Sequence, residues 1–443
     1  MDGARREVID IALPAIGSNI LRLLVTTVDM IVVGRLGYRE VDAVGISNIL
    51  IFLFQAVMIA ISAGAMVVVA HFFGMKKYDE ANEVLAESSL LSLIIGVVLM
   101  IVGLIAQDPF ISVMTDDPVV MYRTREYLTI VLLGVPFMSY GYLCANVFRG
   151  AGDTRTPLYV DAVANSLNAV FDVLLVFGIG PFPEMGVGGA AVATTMAFAV
   201  SAVMYALVFS SGNRALRMGL SMKRRHWREI LYIGLPNSAE QIGIQVSNMI
   251  YTGMVSSLGP VVLAAHLIGN RIEALSFMPG FGFYTSSAVL VGQNLGRGDE
   301  EKAKRAAEES LRMSVILMGV LGLTFFFFPD QLSWIFVPGE PAVIETSRLY
   351  LRLMGVSQIF LALDFSMTGA LRGAGNTMFP MYVTLIGRFA VRLVFAYVLG
   401  FVLHMGILGI WLGMLFDMIF KGVTVYAKFR KDGFKGALYA SKA

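Results

Sequence analysis

Twelve apolar runs, each at least about the 20 residues a helix needs to cross roughly 30 Å of hydrocarbon, constrain this 443-residue chain more than any other feature. They lie near residues 9–35, 43–73, 84–106, 126–147, 157–179, 187–210, 229–258, 262–294, 307–328, 347–370, 378–402 and 406–428. Composition agrees, because 57% of positions are hydrophobic, 15% are charged and the mean hydropathy is +0.73, values outside the range of soluble domains. The fold class is an all-α polytopic membrane protein with twelve transmembrane helices. The eighth run contains Pro279, Gly280 and Gly282 in FMPGFGF and reads as kinked or broken. The first run is too long for a signal-peptide core and is expected to remain in the mature chain.

The runs fall into two sets of six related by a repeat. RGAGDTRTP at 149–157 returns as RGAGNTMFP at 372–380, and at an offset of 222 Pro14 meets Pro236, Gly37 meets Gly259 and Gly74 meets Gly296. The domain expectation is therefore an N-lobe over 1–210, a basic linker over 211–228 and a C-lobe over 229–443, in parallel orientation. Short loops on one side carry Arg5, Arg6, Lys76, Lys77, Arg149, Arg155 and the linker's basic residues, Arg214 and Lys223 among them. The other side carries Arg35, Arg39, Arg123, Arg125 and Arg348, so both termini are expected in the cytoplasm. A formal charge of +2, dispersed over loops, gives no reason for a nucleic-acid partner. The single Cys144 excludes an internal disulfide framework and a Cys-rich metal site, and reads as a small buried hydrophobe.

Ionisable groups inside apolar runs are costly and mark function by default. On the fifth run Asp161, Asn165, Asn168 and Asp172 fall on one helical stripe, opposite Thr384, Arg388, Val391 and Phe395 in the second copy. Counting from the outer helix ends puts Asp29, Asp172 and Thr194 at similar depth. Carboxylates converging there with Asn168 and Thr194 oxygens can share a proton or surround Na⁺, a hard cation. The second half lacks this set but contains Glu240, Glu273 and Asp364 as possible substrate or ion contacts. Arg388, Arg392 and Asp417 read as structural pairs. In the two RGAG turns, Arg149 and Arg372 are expected to cap helix ends, and Gly150 and Gly373 to permit close approach. Pro14 either starts or bends its helix, and Pro279 bends the eighth. No HExxH, GxSxG or Walker motif is present, so a non-enzymatic protein without a cofactor is expected.

Several segments together resemble the multidrug and toxic compound extrusion (MATE) family of the multidrug/oligosaccharidyl-lipid/polysaccharide (MOP) superfamily. They are Leu13-Pro14 and Leu235-Pro236, VDMIVVGRLG at 28–37, RIEALSFMPGFGF at 271–283, LVGQNLGRGD at 290–299 and both RGAG turns. The resemblance implies two V-shaped six-helix lobes exporting amphipathic, often cationic compounds in exchange for H⁺ or Na⁺. It also implies an N-lobe cation site, which maps onto Asp29, Asn168 and Asp172 in NAVFD, and Thr194 in GAAVAT. A first helix bent at a proline matches Pro14. A second branch of the family uses acidic residues on helices seven and ten, where Glu240 and Asp364 stand.

The resulting expectation is a secondary active multidrug antiporter in the plasma or inner membrane. It would be a monomer coupled to H⁺ and/or Na⁺, with small organic, cationic or amphipathic substrates and the lipid bilayer as its partners. The alternatives are a lipid-linked oligosaccharide flippase of the same superfamily, an intramembrane enzyme and a non-transporting scaffold.

Overall fold

A computed structural model describes residues 3–211, 216–217, 224–435 and 438. It places thirteen helices in chain order: α1 Gly3–Gly34, α2 Tyr38–Gly74, α3 Tyr78–Met114, α4 Pro118–Gly150, α5 Arg155–Phe177, α6 Val187–Ser210, α7 Trp227–Ser256, α8 Pro260–Gly296, α9 Glu300–Phe327, α10 Pro329–Phe336, α11 Pro341–Gly373, α12 Met378–Val402 and α13 Ile407–Asp432. Every apolar run becomes one long helix, and the eight-residue α10 is an addition. Eleven helices are long and apolar enough to cross a membrane. The twelfth long helix, α7, is more polar, carrying Glu229, Asn237, Glu240, Gln241, Gln245 and Asn248. Of the linker, residues 212–215 and 218–223, including Arg214 and Lys223, lie outside the described residues.

The helix ends follow local chemistry. Asp117 accepts the N–H groups of Val119 at 2.8 Å and Val120 at 3.4 Å, and Pro118 fills the first position of α4, where no N–H is needed. These backbone donors and the Arg39 guanidinium hold the Asp117 carboxyl below the usual carboxylate range. Asp299 caps α9 through Lys302 N–H at 2.9 Å, with Glu300 and Glu301 in the first turn.

Cα proximity divides the chain into two compact units, one of Gly17–Leu235 and one of Met1–Ile16 with Pro236–Ala443. In the first, α4 is central and packs on α2, α3 and α6; in the second, α11 does so on α8, α9 and α13. The expected boundaries at 210 and 229 count whole helices, whereas the compact units exchange two helix starts. The start of α1 packs in the second unit, where a Cβ on Gly282 would meet Ala12 O at 3.0 Å. The start of α7 packs in the first unit, where a Cβ on Gly234 would stand 1.6 Å from Ala60 O. Apolar burial gives helices in lipid little reason to associate, so such close approaches over small residues, with their dispersion contacts, hold the bundles together. Cys144 is free and buried, as a small hydrophobe would be.

The reading of the eighth run as broken is corrected. α8 continues through Pro279 without a break, because the rest of its hydrogen-bonded ladder spans the one missing donor. α12 instead departs from α-geometry, with π-helical turns at Gly387–Leu393 and Val398–Val402.

Candidate functional site

In the Gly17–Leu235 unit, α1, α4, α5 and α6 bring together the four residues singled out in the sequence. Asn168 and Asp172 are one turn apart on the buried face of α5. With its amide oriented to suit its neighbours, Asn168 donates to Asp29 Oδ1 at 3.0 Å and accepts the Thr194 N–H at 3.2 Å. Asparagine thereby ties α5 to α1 and to the first turns of α6. The Asp29 and Asp172 carboxyls lie against one another, close enough to share a proton. Asp172 is 0% exposed, and neither of its oxygens receives a hydrogen bond among the described residues. Tyr127 on α4 faces Thr194 and both carboxyls. Nothing in its sequence distinguishes Tyr127 from a core aromatic, and its position became apparent only from the packing of α4 on α6.

The other residues of the fifth-helix stripe do not join this group. Asp161 lies 3.9 Å from Arg22 of α1. In the second unit, the acidic residues occupy three separate places. Glu240 is ion-paired with Arg372, which also donates to Tyr284 Oη at 3.2 Å. Glu273 is buried, with Tyr350 Oη 2.7 Å from its Oε2 and 2.6 Å from Asn270 Oδ1. Asp364 accepts from Thr368 at 3.0 Å and lies 3.7 Å from Lys421 Nζ.

Asp417 is the centre of a buried charge network. Arg392 approaches it at 2.8 and 2.9 Å, Arg388 at 3.8 Å and Lys421 at 3.7 Å. Arg388 and Arg392 both belong to the first π-helical stretch, and the pairs with Asp417 and Asp364 partly offset charges that would be expensive alone. Lys421 escaped sequence reasoning because it stands toward the polar end of the last run, although its four-residue spacing from Asp417 is a usable signal.

The RGAG turns are the same device twice. Cβ atoms on Gly150 and Gly373 would lie 2.4 Å from Met66 O and 2.2 Å from Ala288 O, so these glycines let α4 meet α2 and α11 meet α8. Gly152 and Gly375 both have φ of 87°. Asp153 and Asn376 then accept N–H groups of the next helix, from Thr156 at 2.9 Å and Phe379 at 3.3 Å. The arginines do not cap helix ends as expected. Arg372 takes its acidic partner from α7, and Arg149 reaches Asn146 Oδ1 at 3.5 Å.

Comparison with known proteins agrees with this architecture. The MatE family model matches residues 14–174 and 236–398, one match per repeat. A probable multidrug resistance protein NorM from Thermotoga maritima is 34% identical over 420 residues, spanning 94% of this chain and 90% of that protein. Among solved structures, an outward-facing multidrug resistance MATE family transporter superposes with a TM-score of 0.90 at 21% identity, over 98% of this chain and 97% of that one. A MOP superfamily transporter from Pyrococcus furiosus gives 0.88 at 22% identity, over 96% and 95%. These relatives are transporters and not enzymes, and the chain, a multi-pass membrane protein, belongs to the MatE family of multidrug efflux transporters.

Proposed function

We propose that the protein exports small amphipathic, cationic organic compounds in exchange for H⁺ or Na⁺, and that Asp29, Asn168, Asp172 and Thr194 hold the coupling ion. The observation that carries this reading is the Asp29–Asp172 contact, two carboxyls meeting inside the protein with no donor to either oxygen of Asp172 among the described residues. A proton or a hard monovalent cation is the natural neutraliser of such a pair. Cation binding drives transport only by favouring one conformation over another, and α1, which supplies Asp29, is the element on which occupancy acts. The protein works as a monomer in the plasma or inner membrane, with both termini cytoplasmic and its two lobes joined in sequence by residues 211–228. Glu240 and Asp364, both engaged with basic residues, serve the second lobe's structure, and Glu273, whose Oε1 is unbonded among the described residues, remains there as a substrate or ion contact.

The test is dye export from proteoliposomes under separately imposed H⁺ and Na⁺ gradients. Wild type responds to at least one gradient, which identifies the ion. Asp29→Asn and Asp172→Asn fold but lose that response. Full gradient-driven export by both variants would remove the site assignment.

A further inference from the structure

The two RGAG arginines hold equivalent places in the repeat but have different surroundings. In the second copy Arg372 has an acidic partner: it pairs with Glu240, donates to Tyr284 and stacks 5.6 Å from the centre of that ring. At the offset that relates Pro14 to Pro236, Glu240 corresponds to Ser18 and Tyr284 to Ser62. Both partners are therefore lost in the first copy. Ser62 turns back to the Met58 carbonyl of its own helix at 3.0 Å, and Ser18 Oγ is buried without a partner among the described residues. Arg149 retains a long contact of 3.5 Å to Asn146 and has no acidic partner in the place of Glu240; its Nε, like that of Arg372, is buried with no acceptor among the described residues.

The first copy adds a different set of groups. Arg22, where the second copy has Ile244, lies 3.9 Å from Asp161 and 5.3 Å from the centre of the Tyr142 ring. Arg149 is close enough to Arg22, Asp161, Tyr142 and Tyr205 for their charges and dipoles to interact. Tyr205 is 0% exposed and its hydroxyl has no partner among the described residues. Two guanidiniums face one carboxylate here, which leaves a surplus of one positive charge beside unpaired buried donors. Such a surplus inside a membrane protein is costly unless something neutralises it. A monoanion does so completely, whereas a dianion would reverse the sign. A carboxylate also matches the planar fork of an arginine, accepting two parallel hydrogen bonds. Arg22 has 42% of its side chain exposed, so a ligand reaches it without opening the core.

We propose that Arg22 and Arg149, flanked by Tyr142 and Tyr205, form a subsite for the carboxylate of a transported amphipathic compound. The ligand carboxylate takes the place that Glu240 fills in the other repeat. Arg22 stands seven residues before Asp29, or about 10 Å along the helix, so α1 carries the anion subsite and the coupling-ion site together. The export reading is deepened accordingly: zwitterionic substrates are accepted beside cationic ones.

Rhodamine B, which carries a free carboxylate, and its cationic ethyl ester make a matched pair of probes. Their binding to the purified full-length protein is followed by fluorescence anisotropy. Wild type binds both, and Arg22→Gln and Arg149→Gln weaken rhodamine B by about tenfold or more, the usual cost of losing hydrogen bonds to a charged group. Their affinity for the ester is unchanged or higher. Tyr205→Phe removes one hydroxyl and produces a smaller loss confined to rhodamine B, which decides the matter should the arginine variants fail to fold. Absence of rhodamine B binding in wild type, or equal loss of both dyes in folded variants, overturns the proposal. Gradient-driven export of the ester is measured in parallel and tests the export reading independently, since it does not require the carboxylate subsite.

Discussion

At the scale of single residues, the proposed ion site separates two chemistries that the same four side chains can support. A proton requires the carboxyls of Asp29 and Asp172 and little else. Sodium requires several oxygens, and the Thr194 hydroxyl, beside the Tyr127 that faces both carboxyls, is an uncharged one. Thr194→Val removes that hydroxyl while sparing the backbone N–H that Asn168 accepts at 3.2 Å. The expected outcome is export that still follows an H⁺ gradient and a Na⁺ response weakened by about tenfold, the scale of one lost interaction with a charged species. An undiminished Na⁺ response in liposomes would show that Thr194 is only structural. The four residues were legible in the sequence because helical spacing and depth both follow from 1.5 Å per residue, which holds whatever the helices pack against. Tyr127 was not, because an aromatic in an apolar run has the same pattern whether it faces a core or a carboxylate.

At the scale of elements, the RGAG turns show how two glycines only two positions apart do different work. Gly150 is small so that α4 can touch the Met66 carbonyl of α2, and Gly152 is flexible so that the chain can turn at φ 87°. Gly150→Ala places a Cβ 2.4 Å from that carbonyl, an overlap that must separate the helices at a cost of about 1–3 kcal/mol. Gly152→Ala costs about 1–2 kcal/mol in left-handed backbone. Gly152→Asn costs less, because asparagine tolerates that region. Thermal midpoints in detergent should therefore fall for both alanine variants, with Gly152→Asn nearer wild type; equal midpoints for Gly152→Ala and Gly152→Asn would contradict the backbone explanation. The recurring motif made the turns readable, but not the partners of their arginines, since a helix-end arginine can cap its own carbonyls or reach a neighbour. The π-helical turns of α12 were equally hidden. The first of them, Gly387–Leu393, carries Arg388 and Arg392, which both reach Asp417 of α13, a tertiary contact that leaves the apolar pattern of the run intact.

At the scale of the whole molecule, the repeat predicted twelve long helices and their grouping by six, whereas contact grouping exchanges two helix starts between the units. Hydropathy measures how long a helix is and says nothing about which bundle each end joins. The crossings fall close to the paired prolines: α1 changes unit after Ile16, two residues beyond Pro14, and α7 changes between Leu235 and Pro236. Each proline lacks an N–H for the carbonyl four residues earlier, Asp10 or Tyr232, so the helix is weakest where its two ends answer to different units. Pro14→Ala and Pro236→Ala restore a donor at each crossing and make the helix stiffer. If these crossings bend during transport, each variant should keep or raise its thermal midpoint while export slows several-fold, and the double variant should be slower than either. Normal export rates in both single variants, measured in the proteoliposome assay under the effective gradient, would mean that the prolines serve packing and that the helices bend elsewhere.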